Sequence, residues 1–234
     1  MMTAPDIARR LLAEMLGSAF LLTAVVGSGV MGERLAGGNN AIALLANSLA
    51  TGGALIALIT SFAPVSGAHF NPAVTLFECA GGRITAKAAM LYVPAQITGA
   101  IVGVVVAHAM FALPLLQISA HERASAGEFL GEFVATFGLL LTIWGTARAR
   151  PEAMPTTVAA YIVAAYWFTS STSFANPAVT IARALSDTFA GIAPSSLLPF
   201  LAAQLLATGA ALSLDRAFAR QLRPETRDAT SPSR

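Results

Sequence analysis

Long apolar runs constrain this chain more than any other feature of its sequence. Between breaks at proline, glycine and charged residues, six segments approach or exceed the length of about 20 residues that spans a bilayer core as a helix. These segments lie near 8–31, 40–62, 84–112, 126–148, 155–174 and 195–217. The 234 residues are 56% hydrophobic and only 11% charged, whereas soluble domains carry about 25% charged residues. The sequence therefore predicts an all-α, multi-pass membrane protein.

The basic residues lie near the ends of these segments, where they indicate topology rather than nucleic-acid binding. Six spans place both termini on one side of the membrane. That side carries 11 of the 14 basic residues, including Arg9 and Arg10, and the other side carries the remaining three, Arg34, Arg123 and Arg183. We therefore expect both termini in the cytoplasm. The polar segment 219–234 is expected to be a disordered cytoplasmic tail.

Two shorter apolar pieces, 71–80 and 176–186, each begin with the sequence NPAVT. Around them the order glutamate, NPAVT, glutamine recurs, with Glu14 and Gln96 in the first half and Glu132 and Gln204 in the second. Each half contains three spans, an odd number, so the second half must be inverted relative to the first. We expect one domain, residues 1–218, with inverted halves at about 8–118 and 124–218. Such repeats place the functional site near the bilayer midplane.

The NPAVT copies are expected to start two half-length helices, because asparagine is a favoured N-cap and proline is tolerated at the first helical position. The motifs are Asn71-Pro72-Ala73 and Asn176-Pro177-Ala178. In an inverted repeat these half helices enter from opposite faces and meet head to head, with the loops before them lining a pore. The alternative is that each motif only caps a buried short helix. Duplication within an inverted repeat favours the pore.

This arrangement resembles the aquaporin and aquaglyceroporin channels of the major intrinsic protein family. The resemblance rests on the twin Asn-Pro-Ala motifs, the first in the setting SGAHFNPAVT, and on the paired glutamates and glutamines. It implies six transmembrane helices plus two re-entrant half helices, assembled as a homotetramer with one pore per subunit. It also implies that Glu14 and Glu132 hold the pore loops by hydrogen bonds, a role that competes with proton coupling. His69 matches a histidine of the family's first pore loop.

The second motif departs from the family pattern at one position. The resembling channels usually carry an arginine three residues after the second motif asparagine, where this chain has Val179. Counting without gaps places the other selectivity-filter positions at Thr51, Ala164 and Ser173. All four residues are small, so the sequence predicts a wide, uncharged and mildly polar filter. Arg183 follows one turn later; it either lies in the vestibule or complements the helix dipole at a C-terminus.

The stretch NPAVTIARALSDTFAGI resembles a bacterial branch of the family that lacks the filter arginine and is associated with arsenic resistance. The implied function is a passive channel in the bacterial inner membrane for glycerol-type polyols, neutral arsenite or methylated arsenicals, and water. A water-selective aquaporin is one alternative. A secondary transporter is another, although its coupling ion would need ligands at a midplane that offers mostly Asn, Ser and Thr.

An enzymatic function is not expected from this sequence. It contains no clustered His/Cys spacing typical of a metal site and no nucleophile–base pair, and its ionisable residues lie mostly at the membrane edges. We therefore expect neither a metal nor a cofactor. The expected partners are the lipid bilayer, further copies of the chain and small uncharged solutes.

Overall fold

A computed structural model describes residues 6–221, with side chains through Phe218. In this part of the chain the regular structure is entirely helical, with no strand. The α-helices are α1 (Ile7–Leu35), α2 (Asn40–Ser66), α3 (Pro72–Ala80), α4 (Ala86–Met110), α5 (Ala126–Ala149), α6 (Met154–Phe168), α7 (Pro177–Arg183) and α8 (Leu197–Gln221). Two 3₁₀ turns, Pro151–Ala153 and Pro194–Ser196, precede α6 and α8. The disordered tail was expected to begin at 219, but α8 continues to Gln221. The rest of the expected tail lies outside the described residues.

Capping residues fix where most of these helices begin. Asn39 caps α2 by accepting two backbone N–H groups, and Thr85 caps α4 by accepting one. At α5, Ser125 and Glu128 form a reciprocal capping box. Each such cap satisfies backbone donors that the first turn of a helix leaves without a partner. Local sequence therefore determines these boundaries.

Five of the described helices, α1, α2, α4, α5 and α8, are long and apolar enough to cross a membrane. The sixth expected span was placed at 155–174, but the helix in this region, α6, ends at Phe168 and is therefore shorter than the apolar run. Its 15 residues and the preceding 3₁₀ turn extend about 28 Å at standard helical rises, close to the hydrocarbon thickness of about 30 Å. The last residues of the run leave the helix and form the loop before α7.

The packing of the helices repeats between the two halves. Helix α1 packs against α2 and α4, α5 packs against α6 and α8, and contacts between α2 and α6 join the halves. The α1–α4 crossing is close because Gly99 and Gly103 face backbone carbonyls of α1, and a Cβ at either glycine would lie 2.1 Å from the oxygen of Met15 or Ala19. The short helices α3 and α7 contact each other between the halves.

Candidate functional site

The two half helices are joined at their N-termini by their capping asparagines. The side-chain oxygens of Asn71 and Asn176 each accept the backbone N–H two residues ahead, at 2.9 and 3.0 Å. The amide nitrogen of Asn71 donates to the carbonyl of Ala175 at 2.8 Å, and that of Asn176 donates to the carbonyl of Phe70 at 2.9 Å. Each asparagine therefore caps its own helix and also fixes the loop that leads into the other one.

The buried carboxylate of Glu14 holds the loop before α3. It accepts the backbone N–H groups of His69 and Phe70 at 3.0 and 2.7 Å, the hydroxyl of Ser66 at 2.6 Å and the amide of Gln96 at 2.7 Å. The His69 ring lies 3.0 Å from the Thr75 hydroxyl through Nδ1, so this histidine also connects the loop to α3. These contacts give the carboxylate a full set of protein donors.

Glu132 occupies the equivalent place in the second half. It accepts the backbone N–H groups of Phe174 and Ala175 at 2.7 and 2.8 Å, and the amide of Gln204 at 2.7 Å. The same Gln204 nitrogen lies 2.8 Å from the hydroxyl of Thr180 on α7. The order of residues that repeats along the sequence thus becomes a pair of matching hydrogen-bond networks, one behind each pore loop.

The loops have a backbone conformation that needs such support. Ala68 and Phe70 have φ values of 50° and 48°, and Ser173 and Ala175 have φ values of 52° and 49°. Non-glycine residues in this left-handed region cost about 1–3 kcal/mol each. Hydrogen bonds to a charged acceptor contribute about 1.5–3 kcal/mol each, so the glutamates offset this strain. The conformation also holds loop residues against a central cavity.

A single continuous cavity of about 540 Å³ passes between the helices and contains both motif asparagines in its wall. At one end it is lined by Arg10, Glu78 and Arg83, and at the other by Arg183; we call these ends the Arg10 mouth and the Arg183 mouth. The intervening walls are mainly aliphatic and include Leu55, Ile59, Leu139, Ile143, Val158 and Ile162. The cavity therefore presents polar loops on one side and hydrocarbon on the other.

Three of the four expected filter residues line this cavity, namely Thr51, Ser173 and Val179. The hydroxyl of Ser173 is buried and has no protein hydrogen-bond partner among the described residues. Val179 is buried on α7 with its side chain in the cavity wall. Ser173 and Val179 thus contribute to the wall without placing a charged group in it.

The fourth expected filter residue, Ala164, was misplaced by the ungapped count. Ala164 is exposed and does not line the cavity, whereas Tyr166 is buried and does. Residues of α6 in the cavity wall follow a four-residue spacing, at Met154, Val158, Ile162 and Tyr166. A position two residues from Tyr166 is rotated by about 200° around the helix and faces away. Other faces of α6 carry apolar residues at the same spacing, such as Ala159, Val163 and Trp167, so the sequence alone does not identify Tyr166.

With Tyr166 rather than Ala164 in the cavity wall, the residues at the expected filter are no longer all small, because one of them is aromatic. Its hydroxyl lies 3.2 Å from that of Thr51 on α2, so the two side chains meet across the α2–α6 contact. The expectation that every filter residue is small is therefore wrong at this one position. An aromatic ring with a hydroxyl narrows the cavity beside Val179 without adding charge.

Arg183 lies in the cavity wall at the end of α7. Its side chain is buried, with Cζ only 3.4 Å from the centroid of the Phe174 ring, and its Nε donates to the carbonyl of Ala190. Arg183 and Glu78 each lie seven residues after a motif asparagine, so the two half helices end in opposite charges. Arg123 also approaches Phe174, at 5.4 Å from Cζ to the ring centroid. The Arg183 mouth is consequently electropositive.

In the described part of the chain, no group of three or more His, Cys, Asp or Glu side chains is arranged to hold a metal ion. The free cysteine, Cys79, is half-buried on α3. The groups that face the cavity are amides, hydroxyls, carbonyls and aliphatic carbons, together with the charged side chains at its ends. The amides, hydroxyls and carbonyls among them are able to exchange hydrogen bonds with an uncharged solute.

Comparisons with known proteins agree with this geometry. The sequence profile described as "Major intrinsic protein" matches residues 1–173, which include the first Asn-Pro-Ala motif. The chain is 49% identical over 227 residues to aquaglyceroporin AqpS of Rhizobium meliloti (strain 1021), covering 97% of each protein. It is 32% identical over 197 residues to aquaporin TIP1-1 of Arabidopsis thaliana, covering 78% of this chain and 77% of the relative.

A solved structure has the same fold. The aquaglyceroporin of Plasmodium falciparum superimposes with a TM-score of 0.68 at 19% sequence identity, covering 93% of this chain and 97% of that one. At this identity the likeness concerns the fold alone. The fold, the family profile and the full-length similarity agree, and the chain belongs to the major intrinsic protein family of multi-pass membrane channels.

Proposed function

We propose that this chain is a passive channel for small uncharged solutes. The observation that carries the proposal is the continuous cavity with both Asn71 and Asn176 in its wall. Each amide nitrogen donates one hydrogen bond to a loop carbonyl and retains a second N–H for a hydroxyl in the cavity. Aliphatic walls receive the carbon face of the solute. A passing solute thereby exchanges its hydrogen bonds with water, one at a time, for hydrogen bonds with the cavity wall, and no single site holds it tightly.

The proposed cargo is glycerol-type polyols, with neutral arsenite or methylated arsenicals and water. In support, Val179 offers neither charge nor hydrogen-bond donor at the position where the resembling channels usually carry an arginine. The Thr51–Tyr166 hydroxyl pair and the amides of Asn71 and Asn176 in the cavity wall suit a solute with several hydroxyl groups. Glycerol and As(OH)₃ share that chemistry. Similarity to a protein described as an aquaglyceroporin supports the same cargo class, and a role in arsenic resistance would follow from it.

Arg183 is the proposed source of positive charge near the filter. It is the last residue of α7, where a cation complements the helix dipole, and its side chain is also buried in the cavity wall. From there it repels cations and leaves the cavity at Val179 without a guanidinium. This favours the vestibule interpretation of Arg183.

The alternative functions fit the same residues less well. A water-selective pore relies on a constriction that rejects larger solutes, and Val179 provides none of the steric and charge gating of an arginine. A secondary transporter needs ligands for a coupling ion near the midplane. The carboxylates of Glu14 and Glu132 are already occupied by loop N–H groups and glutamine amides. Both carboxylates therefore support loops rather than bind ions in this proposal.

We further propose that residues 1–218 form one channel domain in a bacterial inner membrane, with both termini and the Arg10 mouth in the cytoplasm. A homotetramer with one pore per subunit is the proposed assembly. Large apolar residues on the outer faces of α1 and α2, such as Phe20 at 60% and Leu49 at 57% exposure, are available for contacts with lipid and with neighbouring subunits. The excess of basic residues on one side supports the orientation.

Flux measurements on the purified protein in liposomes test the function. Swelling rates in gradients of water, glycerol and arsenite are expected to rise above those of empty liposomes and to stay linear in solute concentration. Flux of water alone would support the water-selective alternative. Saturating flux that requires an ion gradient would support the transporter. Absence of any solute flux from correctly folded protein would refute the proposal.

A further inference from the structure

Two adjacent arginines near the start of α1 have different environments. Arg9 is exposed, whereas Arg10 is half-buried and lines the cavity at the end opposite Arg183. The Nε of Arg10 donates to the Tyr92 hydroxyl at 2.7 Å, and its Cζ lies 5.2 Å from that ring's centroid. The Tyr92 hydroxyl in turn donates to the carbonyl of Ser66 at 2.8 Å. The guanidinium is therefore anchored, through a buried tyrosine, to the end of α2.

The other two charged residues that line this mouth pair with each other. Arg83 forms ion pairs with Glu78 at 2.7 Å and with Asp215 at 3.2 Å. Arg10 forms no ion pair with any carboxylate whose side chain the structure describes. The carboxylate one turn further along α1, Glu14, is instead held by donors of the loop before α3 and by Gln96. Among the charged residues lining this mouth, Arg10 is therefore the one outside an ion pair.

We propose that Arg10 is a specificity-determining residue that excludes cations at its mouth, with Tyr92 as its positioning residue. The inference rests on the proposed channel function and deepens it. Val179 leaves the filter without an arginine, so cation exclusion falls to charges elsewhere along the cavity. Arg183 supplies one such charge at its mouth. Arg10 supplies a second charge at the opposite mouth.

The effect of removing this charge follows from its distance to a passing ion. For an ion about 5 Å from the guanidinium in a wet mouth with an effective dielectric constant of about 40–80, Coulomb's law gives a roughly four- to fifteenfold difference in cation entry. A neutral solute does not experience this repulsion. The ratio of cation leak to glycerol flux therefore isolates the charge effect from changes in folding or channel number.

The test uses the full-length channel in liposomes, with K⁺ leak followed by a K⁺-sensitive dye and glycerol flux by light scattering. Arg10→Gln is expected to raise the K⁺-to-glycerol ratio roughly four- to fifteenfold. Arg10→Lys, which retains the charge, should restore a ratio near that of the wild type. Tyr92→Phe removes only the hydroxyl that holds the guanidinium and should give an intermediate rise.

Arg9→Gln is the matched control, because it removes the same charge from the neighbouring residue outside the cavity; its ratio should equal that of the wild type. Equal ratios for Arg10→Gln and Arg9→Gln would overturn the proposal, as would a fall in both fluxes with no change in ratio. Should Arg10→Gln fail to fold, Tyr92→Phe decides by the same ratio. A wild-type protein that passes no glycerol would instead refute the channel function itself.

Discussion

Placing an arginine at the expected filter position, Val179, is the sharpest test of how this cavity selects solutes. Val179→Arg places a guanidinium in the cavity wall one turn before Arg183, where residues four apart have Cβ atoms about 5–6 Å apart. Two unit charges about 6 Å apart at an effective dielectric constant of about 20 repel by about 3 kcal/mol. That is a substantial part of a net stability of about 5–15 kcal/mol. The single variant should therefore be less stable than the wild type.

Replacing Arg183 at the same time removes the repulsion. The double variant Val179→Arg/Arg183→Val loses the hydrogen bond to Ala190, worth about 1–3 kcal/mol, yet it has one guanidinium in the cavity wall, as the wild type does. In a double-mutant cycle the two changes together should be about 3 kcal/mol less destabilising than the sum of the single changes. Unfolding of the solubilised channel, measured for all four proteins, gives this coupling energy.

The same proteins test selectivity. Both variants with arginine at 179 should pass water while glycerol and arsenite flux falls, because a guanidinium occupies the space through which these solutes pass. Val179→Leu, which adds apolar volume without charge, is the matched control and should reduce glycerol flux far less. An unchanged glycerol-to-water ratio in Val179→Arg would refute the placement of Val179 at the filter. Additive stability effects would show that Arg183 does not face the same part of the cavity.

Two further predictions follow from the site. Glu132→Ala leaves three buried N–H donors without their acceptor, at about 1–3 kcal/mol each, and should sharply reduce the yield of monodisperse protein; Glu132→Gln keeps the shape and should be milder. Wild-type yield and thermal stability in Glu132→Ala would contradict the loop-supporting role. Tyr166→Ala should raise glycerol flux by widening the cavity, whereas Ala164→Leu, on the outward face of the same helix, should leave it unchanged. Stopped-flow swelling of liposomes measures the glycerol flux of both variants. A change in flux for Ala164→Leu with none for Tyr166→Ala would show that Ala164, and not Tyr166, belongs to the filter.

The helices themselves were largely predictable from the sequence. Apolar runs located α1, α2, α4, α5 and α8, because a hydrocarbon solvent requires every backbone group of a span to be satisfied within its own helix. Asn71 and Asn176, each followed by proline, located the starts of α3 and α7, because capping is a local interaction between neighbouring residues. The sixth span was the exception: apolar composition continued past Phe168, and only the loop contacts ended the helix there.

The orientation of the side chains was less predictable. In a bilayer, the lipid-facing and core-facing sides of a helix are both apolar, so hydropathy carries little information about which side lines a cavity. The ungapped count therefore placed Ala164 at the filter with nothing in the hydropathy to correct it, and Arg9 and Arg10 were equivalent as indicators of topology. Their difference depends on Tyr92, which lies 82 residues from Arg10 along the chain.

The sequence by itself thus determined the class of protein, the inverted repeat and the chemical identity of the groups at its centre. These properties depend on composition, on local capping and on a repeated order of residues. Tertiary structure alone decided which charges face the cavity unpaired, because neutralisation of Glu78 by Arg83 and burial of Arg183 against Phe174 are packing outcomes. The balance of charge along the cavity, on which the proposed discrimination against cations rests, is a property of the folded chain.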